Sequence, residues 1–112
     1  MPHASADRVI RRTADVPWRP TDVAGVEWKP LRYVPETGAG ASLLKMAPGC
    51  AYPAHRHEQG EDVYVLEGEL LVGTERLGPG DYLYSPPGSV HAPRTAQGCV
   101  LFASFPGHVR DV

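Results

Sequence analysis

Short apolar segments separated by turn-forming residues run through most of the chain, and this punctuation constrains the fold more than any other feature. Glycine and proline number twelve each, and they are spread between the apolar segments instead of gathering in one tract. Because proline presets φ and glycine accepts positive φ, each such site is a plausible turn. The segments between them are the predicted strands: 27–34, 41–47, 61–67, 69–73, 75–77, 82–85, 91–95 and 99–105.

The same pattern argues against helices. No window of eleven or more residues has a convincing apolar stripe at helical spacing. Many short strands with frequent turns indicate a sandwich or barrel, in which closure of the sheet hides strand edges that would otherwise aggregate. With 112 residues the chain has the size of one compact domain. We therefore predict a single all-β domain over residues 25–112, preceded by an extended N-terminal arm, residues 1–24, in which Trp18 can dock.

The charge balance limits the classes of partner. Lys and Arg total 11 against 13 Asp and Glu, which gives a net charge of −2, and no basic run could neutralise a series of phosphates. A nucleic-acid partner is therefore not expected. No apolar run has the length of a signal peptide or a bilayer span, so we expect a cytoplasmic protein with no membrane partner. In that reducing compartment Cys50 and Cys99 are expected to be free thiols.

Three of the five histidines lie with one acidic residue in two short stretches. His55 and His57 are separated by one residue, so on an extended segment their side chains point to the same face. Glu61 follows four residues later, and a bend at residues 59–60 would return its carboxylate to the same point. His91 arrives from a later strand. Three imidazoles and a carboxylate form a ligand set suited to Fe(II), Mn(II), Ni(II) or Zn(II).

Four protein ligands leave two positions open on a six-coordinate ion. Open positions let a metal bind water, dioxygen or a chelating substrate, whereas a structural zinc site is normally closed. Each histidine taken alone is more simply explained as a surface or packing residue. The joint pattern favours one metal site.

The two stretches resemble the two signature motifs of the cupin superfamily, GxxxxxHxHxxxExxxxxxG and GxxxxxPxGxxHxxxN. The matching positions are Gly49, His55, His57, Glu61 and Gly68 in the first motif and Gly80, Pro86, Gly88 and His91 in the second. Thr95 stands where the second motif has asparagine, which is not a metal ligand in the family. The resemblance implies a double-stranded β-helix, a jelly-roll-like barrel of six to eight strands, with one divalent ion per chain on His55, His57, Glu61 and His91.

Further segments resemble the ChrR-like cupins, which include the C-terminal domain of a zinc-dependent anti-sigma factor. These segments are Trp18 with a following proline, GVEWKPLR, HRHEQGEDVYVLEGEL, GDYLYSPPGSVHAP and Gly98-Cys99. Small dioxygenases that cleave β-diketones or hydroxyacetophenones are similar across the same stretch. The resemblance thus implies either an Fe(II)-dependent dioxygenase acting on a small carbonyl substrate or a non-catalytic module that binds a small molecule through zinc or another ion. In the anti-sigma factors a helical zinc domain binds sigma. This chain has no His/Cys cluster before residue 49 that could form such a domain, so sigma inhibition is not expected.

The pocket around the metal is predicted less sharply than its ligands. Alternation from Glu61 turns Val63 and Val65 toward the interior, where ordinary barrel core is the simpler explanation. The candidate substrate-binding residues are Leu44 and Met46 on the wall and Tyr84 and Phe102 as lids. No general base is identified. Many cupins are homodimers, so the resemblance and the long arm together lead us to expect a homodimer.

Overall fold

The structure is a computed structural model that describes residues 8–57, 59–107 and 109–111, with the side chains of residues 56, 57 and 109–111 outside the description. Within these ranges the only helical element is a single 3-10 turn, Thr13–Asp15. The strands of the same ranges are β1 Arg19–Pro20, β2 Val26–Val34, β3 Ala39–Met46, β4 His55–His57, β5 Glu61–Gly68, β6 Leu70–Val72, β7 Glu75–Leu77, β8 Tyr82–Ser85, β9 Ser89–His91, β10 Cys99–Phe105 and β11 Val109–Asp111. The predicted all-β class is confirmed.

The strands form three antiparallel groups around one interior. A six-stranded sheet has the order β1-β2-β3-β10-β5-β8, a three-stranded sheet has the order β11-β4-β9, and β6 and β7 form a hairpin. Isolated bridges from Arg94 to Leu71 and to Ala51 tie the hairpin and the loop before β4 to the segment after β9. Every strand is antiparallel to its neighbours, as in a jelly-roll barrel.

The observed strands agree with most of the predicted segments. The predicted strand at 91–95 differs, because β9 covers Ser89–His91 and only an isolated bridge at Arg94 follows. Pro93 has no N–H to donate to a ladder, which explains the interruption. The short strands β1, β4 and β11 were absent from the prediction, since two or three residues carry too little alternation to be detected.

The core is built from the inward faces of the strands. On β5 the residues Glu61, Val63 and Val65 are buried, while Tyr64 and Leu66 are exposed. This alternation follows from the two-residue period of a strand. The remaining buried apolar residues are Val26, Met46, Leu70, Cys99, Leu101 and Ala103.

The segment before β2 packs along the six-stranded sheet. Arg19 and Pro20 of β1 pair with Trp28 and Glu27 of β2. The ring of Trp18 lies 4.8 Å from the Lys29 Nζ and 4.7 Å from the Lys45 Nζ. Two ammonium groups over one indole are a favourable cation–π arrangement that holds this segment to the sheet.

Gly68 shows why the motif contains a glycine at the end of β5. Its φ is +76°, and a Cβ there would lie 2.0 Å from the carbonyl oxygen of Gly98. Any side chain would collide with this backbone, so the position requires glycine. Cys50 and Cys99 are both free thiols, as expected. In the described part of the chain, no helix has the length and apolar character needed to cross a membrane.

Candidate metal centre

Three of the predicted ligands meet between the two larger sheets. His55 begins β4 and His91 ends β9, and the two residues are direct cross-strand partners. Glu61 begins β5 in the six-stranded sheet, after a turn in which Gly60 has a φ of +89°. The bend predicted at residues 59–60 therefore brings the carboxylate to the two imidazoles, and the ligand atoms of the three residues all lie within 4.8 Å of one another.

The distances within this triad of His55, Glu61 and His91 fit a single ion. The two Nε2 atoms of His55 and His91 are 3.0 Å apart, and the His91 Nε2 lies 3.6 Å from Glu61 Oε1. Two nitrogen ligands about 2.1 Å from one ion and at right angles to each other lie about 3.0 Å apart. The triad could thus hold a metal ion at adjacent coordination positions without rearranging its backbone.

Neighbouring groups orient the two imidazoles. The Nδ1 of His55 lies 2.9 Å from the carbonyl oxygen of Pro53. Since a carbonyl only accepts, Nδ1 carries the proton and donates it, and Nε2 of the neutral ring is left with its lone pair. The ring of Tyr52 packs edge-on against His55 with centroids 5.0 Å apart. Both contacts direct the His55 Nε2 toward the other ligands, as outer groups do in metal sites.

His91 has a comparable neighbour in Ser85, the strand partner of Glu61. The Ser85 hydroxyl lies 3.4 Å from the Nδ1 of His91. A proton on Nδ1 can be donated to this hydroxyl, which again leaves Nε2 free to bind a cation. Ser85 is buried, so its position is set by the packing of β8 against β5.

Burial changes the charge states of Glu61 and His91. It raises the pKa of Glu61 to about 8, with the negative charge of Asp62 adding to the effect. Burial also lowers the pKa of His91 to about 4, with His55 contributing a smaller repulsion. Near neutral pH both groups are uncharged without a cation, so their 3.6 Å contact is not an ion pair. A divalent cation would favour the Glu61 carboxylate, which is the electrostatic condition of a ligand.

The fourth predicted ligand, His57, lies on β4 two residues after His55. Its side chain lies outside the described residues. The role of His57 therefore stays a prediction.

A cavity of about 810 Å³ opens from the triad into the interior between the sheets. Among the predicted substrate-binding residues, Leu44 and Met46 line it. Tyr84 and Phe102 do not line it, because Tyr84 pairs with Asp62 and Phe102 with Tyr64, whose side chains share the outer face of the sheet. Tyr84 is 53% exposed.

Other lining residues were not identified from the sequence. Aromatic rings reach the cavity from Trp28, Tyr52 and Phe105. The segment from Pro20 to Val23, just before β2, also contributes to the wall. Tyr52 could have been suspected from its place three residues before His55. The other contributions depend on strand register and on a long-range contact, for which the sequence carries no local signal.

Comparison with known proteins agrees with this architecture. Residues 6–109 match the family described as the ChrR cupin-like domain. The dimethylsulfoniopropionate lyase DddQ of Ruegeria pomeroyi is 42% identical over 60 residues, which are 49% of this chain and 30% of that protein. The chain spans about 30% or less of the length of the curated relatives that it matches.

Solved structures with a similar fold include two of named function. An acetylacetone dioxygenase from Acinetobacter johnsonii superposes with a TM-score of 0.82 at 16% identity, covering 100% of this chain and 81% of that one. At this identity the similarity shows the fold alone. The anti-sigma factor ChrR of Rhodobacter sphaeroides, solved in complex with SigE, gives a TM-score of 0.72 at 33% identity over 85% of this chain and 52% of that one.

Proposed function

The chain belongs to the family of ChrR cupin-like domains, and from this premise we propose that it is an Fe(II)-dependent dioxygenase that cleaves a carbon–carbon bond in a small carbonyl compound. The substrate class is a β-diketone or a hydroxyaryl ketone. One ion per chain would be held by His55, Glu61 and His91, with His57 as the fourth ligand. The small-molecule partner, like the cytoplasmic location, is part of this proposal.

The observation that carries the proposal is the position of the triad at one end of a large cavity with mostly apolar walls. A structural metal site is closed by its protein ligands, whereas a catalytic site keeps positions open. Here the three ligands border about 810 Å³ of accessible space. This volume is in the range of small-molecule sites.

When bound, Fe(II) supplies coordination positions at which a chelating carbonyl compound and dioxygen react, so that one carbon–carbon bond breaks and both oxygen atoms enter the products. The chain's own residues prepare this site. The Pro53 carbonyl holds the proton on Nδ1 of His55, and Ser85 lies beside Nδ1 of His91. Both histidines thereby present Nε2 to the ion in a fixed orientation.

The walls support a largely apolar substrate. Leu44, Val63 and Leu101 line the cavity, and so do the aromatic residues Trp28 and Phe105. Such walls exclude water from the reacting groups and gain free energy by burying hydrocarbon or aryl surface. A β-diketone with alkyl or aryl substituents has this combination of a chelating end and an apolar body. The fold shared with an acetylacetone dioxygenase is consistent with that substrate class.

Oxygen uptake tests the proposal. Protein purified without a metal-chelating tag is analysed for bound metal, loaded with Fe(II), and assayed in an oxygen electrode with a panel of β-diketones and hydroxyaryl ketones. We expect one dioxygen consumed per substrate cleaved. His91→Ala should abolish uptake, while the matched exposed variant Glu75→Gln on β7 should retain it.

Fully iron-loaded protein that consumes no oxygen with any substrate would refute the dioxygenase. Loss of substrate without oxygen uptake would indicate a non-oxidative reaction instead. The lyase named for the Ruegeria relative is one such class.

A non-catalytic binding or sensory module is the second candidate. It is favoured by the 33% identity to ChrR, an anti-sigma factor, over 85% of this chain. In this case the purified protein is expected to contain one equivalent of zinc, to bind small carbonyl compounds, and to leave them unchanged after iron loading. The same metal analysis and oxygen measurement therefore separate the two candidates.

A further inference from the structure

We propose that the Ser42 hydroxyl recognises the ligand of the cavity, and that this ligand carries a hydrogen-bonding oxygen at the end remote from its metal-binding group. The inference rests on the proposed function, since it requires a small molecule in the cavity. It goes further by assigning a second polar subsite and by specifying the shape of the ligand.

Ser42 lies in the middle of β3 on the face that lines the cavity. Leu44 and Met46, two and four residues further along β3, share this face and line the same space. Ser42 is only 7% exposed. A serine at such a position is unusual, because the neighbouring wall positions from β5 and β10 are apolar: Val63, Leu101 and Ala103.

The Ser42 hydroxyl makes no hydrogen bond to any residue that the structure describes. Thr21, another hydroxyl of the cavity wall, differs because its Oγ1 lies 2.9 Å from the Val26 carbonyl oxygen and donates to it. Ser42 lines the cavity, so its hydroxyl is open to whatever occupies that space. A ligand oxygen that entered the cavity could therefore form a hydrogen bond with it.

The strand register places Ser42 well away from the triad. Ser42 pairs with Ala103, and Ala103 pairs with Val63, two residues beyond Glu61 on β5. Two strand spacings across the sheet and two residues along it amount to roughly 12 Å between the backbones of Ser42 and Glu61. We therefore expect the hydroxyl to meet a part of the ligand other than its metal-binding end.

This separation defines the ligand class. A compound that chelates the metal through a dicarbonyl group and carries a hydroxyl on the far side of one aromatic ring spans the distance. Its ring would pack against the apolar wall between the two polar ends. A short alkyl diketone such as acetylacetone would fill the metal end and leave Ser42 without a partner.

The test compares two ligands that differ only in the distal oxygen, benzoylacetone and para-hydroxybenzoylacetone. Affinities are measured by calorimetry with the Zn(II)-loaded protein, so that no turnover interferes. We expect the hydroxylated compound to bind about five- to tenfold more tightly than benzoylacetone. Ser42→Ala should abolish this preference, whereas Ser104→Ala, on the outer-facing side of β10, should keep it.

If Ser42→Ala still prefers the hydroxylated diketone, the proposal is wrong. It is also wrong if Ser42→Ala changes the affinity for both diketones equally, because the hydroxyl would then bind a water molecule and not the distal oxygen of the ligand. If neither diketone binds, the proposed metal-chelating substrate class fails. The Ser42 subsite is then tested by comparing the affinities of para-propylphenol and propylbenzene, which do not need a metal to bind. A preference for the phenol that Ser42→Ala removes would support the subsite, and the absence of any preference would refute it.

Discussion

His55 and His91 lie directly opposite each other on β4 and β9, and their Nε2 atoms are 3.0 Å apart. At this distance the lone pairs of the two nitrogens would point at each other. This is avoided when one nitrogen carries a hydrogen or when a cation lies between them. In neutral rings that hydrogen can be the Nε2 hydrogen of one tautomer, donated to the other Nε2. A divalent cation satisfies both rings when each carries its hydrogen on Nδ1, the tautomer that the Pro53 carbonyl favours for His55.

Removal of one ring should therefore remove the metal. We expect His91→Ala to lower the affinity for Zn(II) at least about a hundredfold, since even loss of an outer group costs ten- to a hundredfold. Competition with a chromophoric chelator measures this change. Glu75→Gln, an exposed carboxylate on β7, is the control and should leave the affinity unchanged. Equal affinities for wild type and His91→Ala would contradict the assigned site.

Ser85 provides a finer test, because its hydroxyl lies 3.4 Å from Nδ1 of His91. Ser85→Ala should weaken metal binding about tenfold by releasing the orientation of that ring. The fold should be retained, since a serine changes to a smaller residue. Ser104→Ala is a matched serine change outside the triad and should have no effect on metal affinity. If both variants weaken metal binding equally, the effect does not pass through His91.

The spacing of the motifs was sufficient to predict that His55, Glu61 and His91 lie close together. The glycine-containing bend at residues 59–60 returns Glu61 toward His55 by local geometry alone. The pocket was predicted less well for a physical reason. In β10, Phe102 and Phe105 lie on opposite faces by the two-residue period of a strand, and only the packed structure shows that Phe105 is the one that lines the cavity. Likewise, the contribution of Thr21 and Val23 to the wall is a long-range contact.

The metal-free protein should lose stability as the pH rises from about 6.5 to 8. The folded Glu61 has a pKa of about 8 against 4.5 for an ordinary glutamate, so between these limits the folded state binds the extra proton. His91, lowered from 6.5 to about 4, acts with the opposite sign, mainly below pH 6.5. Above that pH the Glu61 effect is the larger one and amounts to at most about 2 kcal/mol.

Urea unfolding in the presence of a chelator at pH 6.5 and pH 8 measures this loss. Glu61→Gln should remove it, while Glu75→Gln should preserve it. Because a ligand carboxylate must be deprotonated, metal affinity should rise over the same interval. A wild-type protein whose unfolding free energy is constant from pH 6.5 to 8 would contradict the assigned pKa of Glu61.

Gly68 should tolerate no side chain. Gly68→Ala places a Cβ against the Gly98 carbonyl and forces alanine to a φ of +76°, so we expect a loss of about 2–4 kcal/mol in the free energy of unfolding. Gly73 is the matched control, with a φ of +58° and no atom of the described residues within 4 Å of its Cβ position. Gly73→Ala should cost only about 1 kcal/mol, from the backbone conformation alone. Equal losses would show that the close approach at Gly68 is not what demands glycine.

A homodimer remains our expectation, and the outer face of β5 and β8 is its most plausible interface. Tyr64, Tyr82 and Tyr84 are each more than 40% exposed there. Exposed aromatic residues gathered on one sheet face are typical of protein interfaces. Light scattering should give twice the chain mass, and Tyr84→Glu should shift it toward the monomer. Tyr33→Glu, an equally exposed tyrosine on β2, should leave the dimer intact. A monomeric wild type would refute the dimer, and a dimer that survives Tyr84→Glu would move its interface to another face.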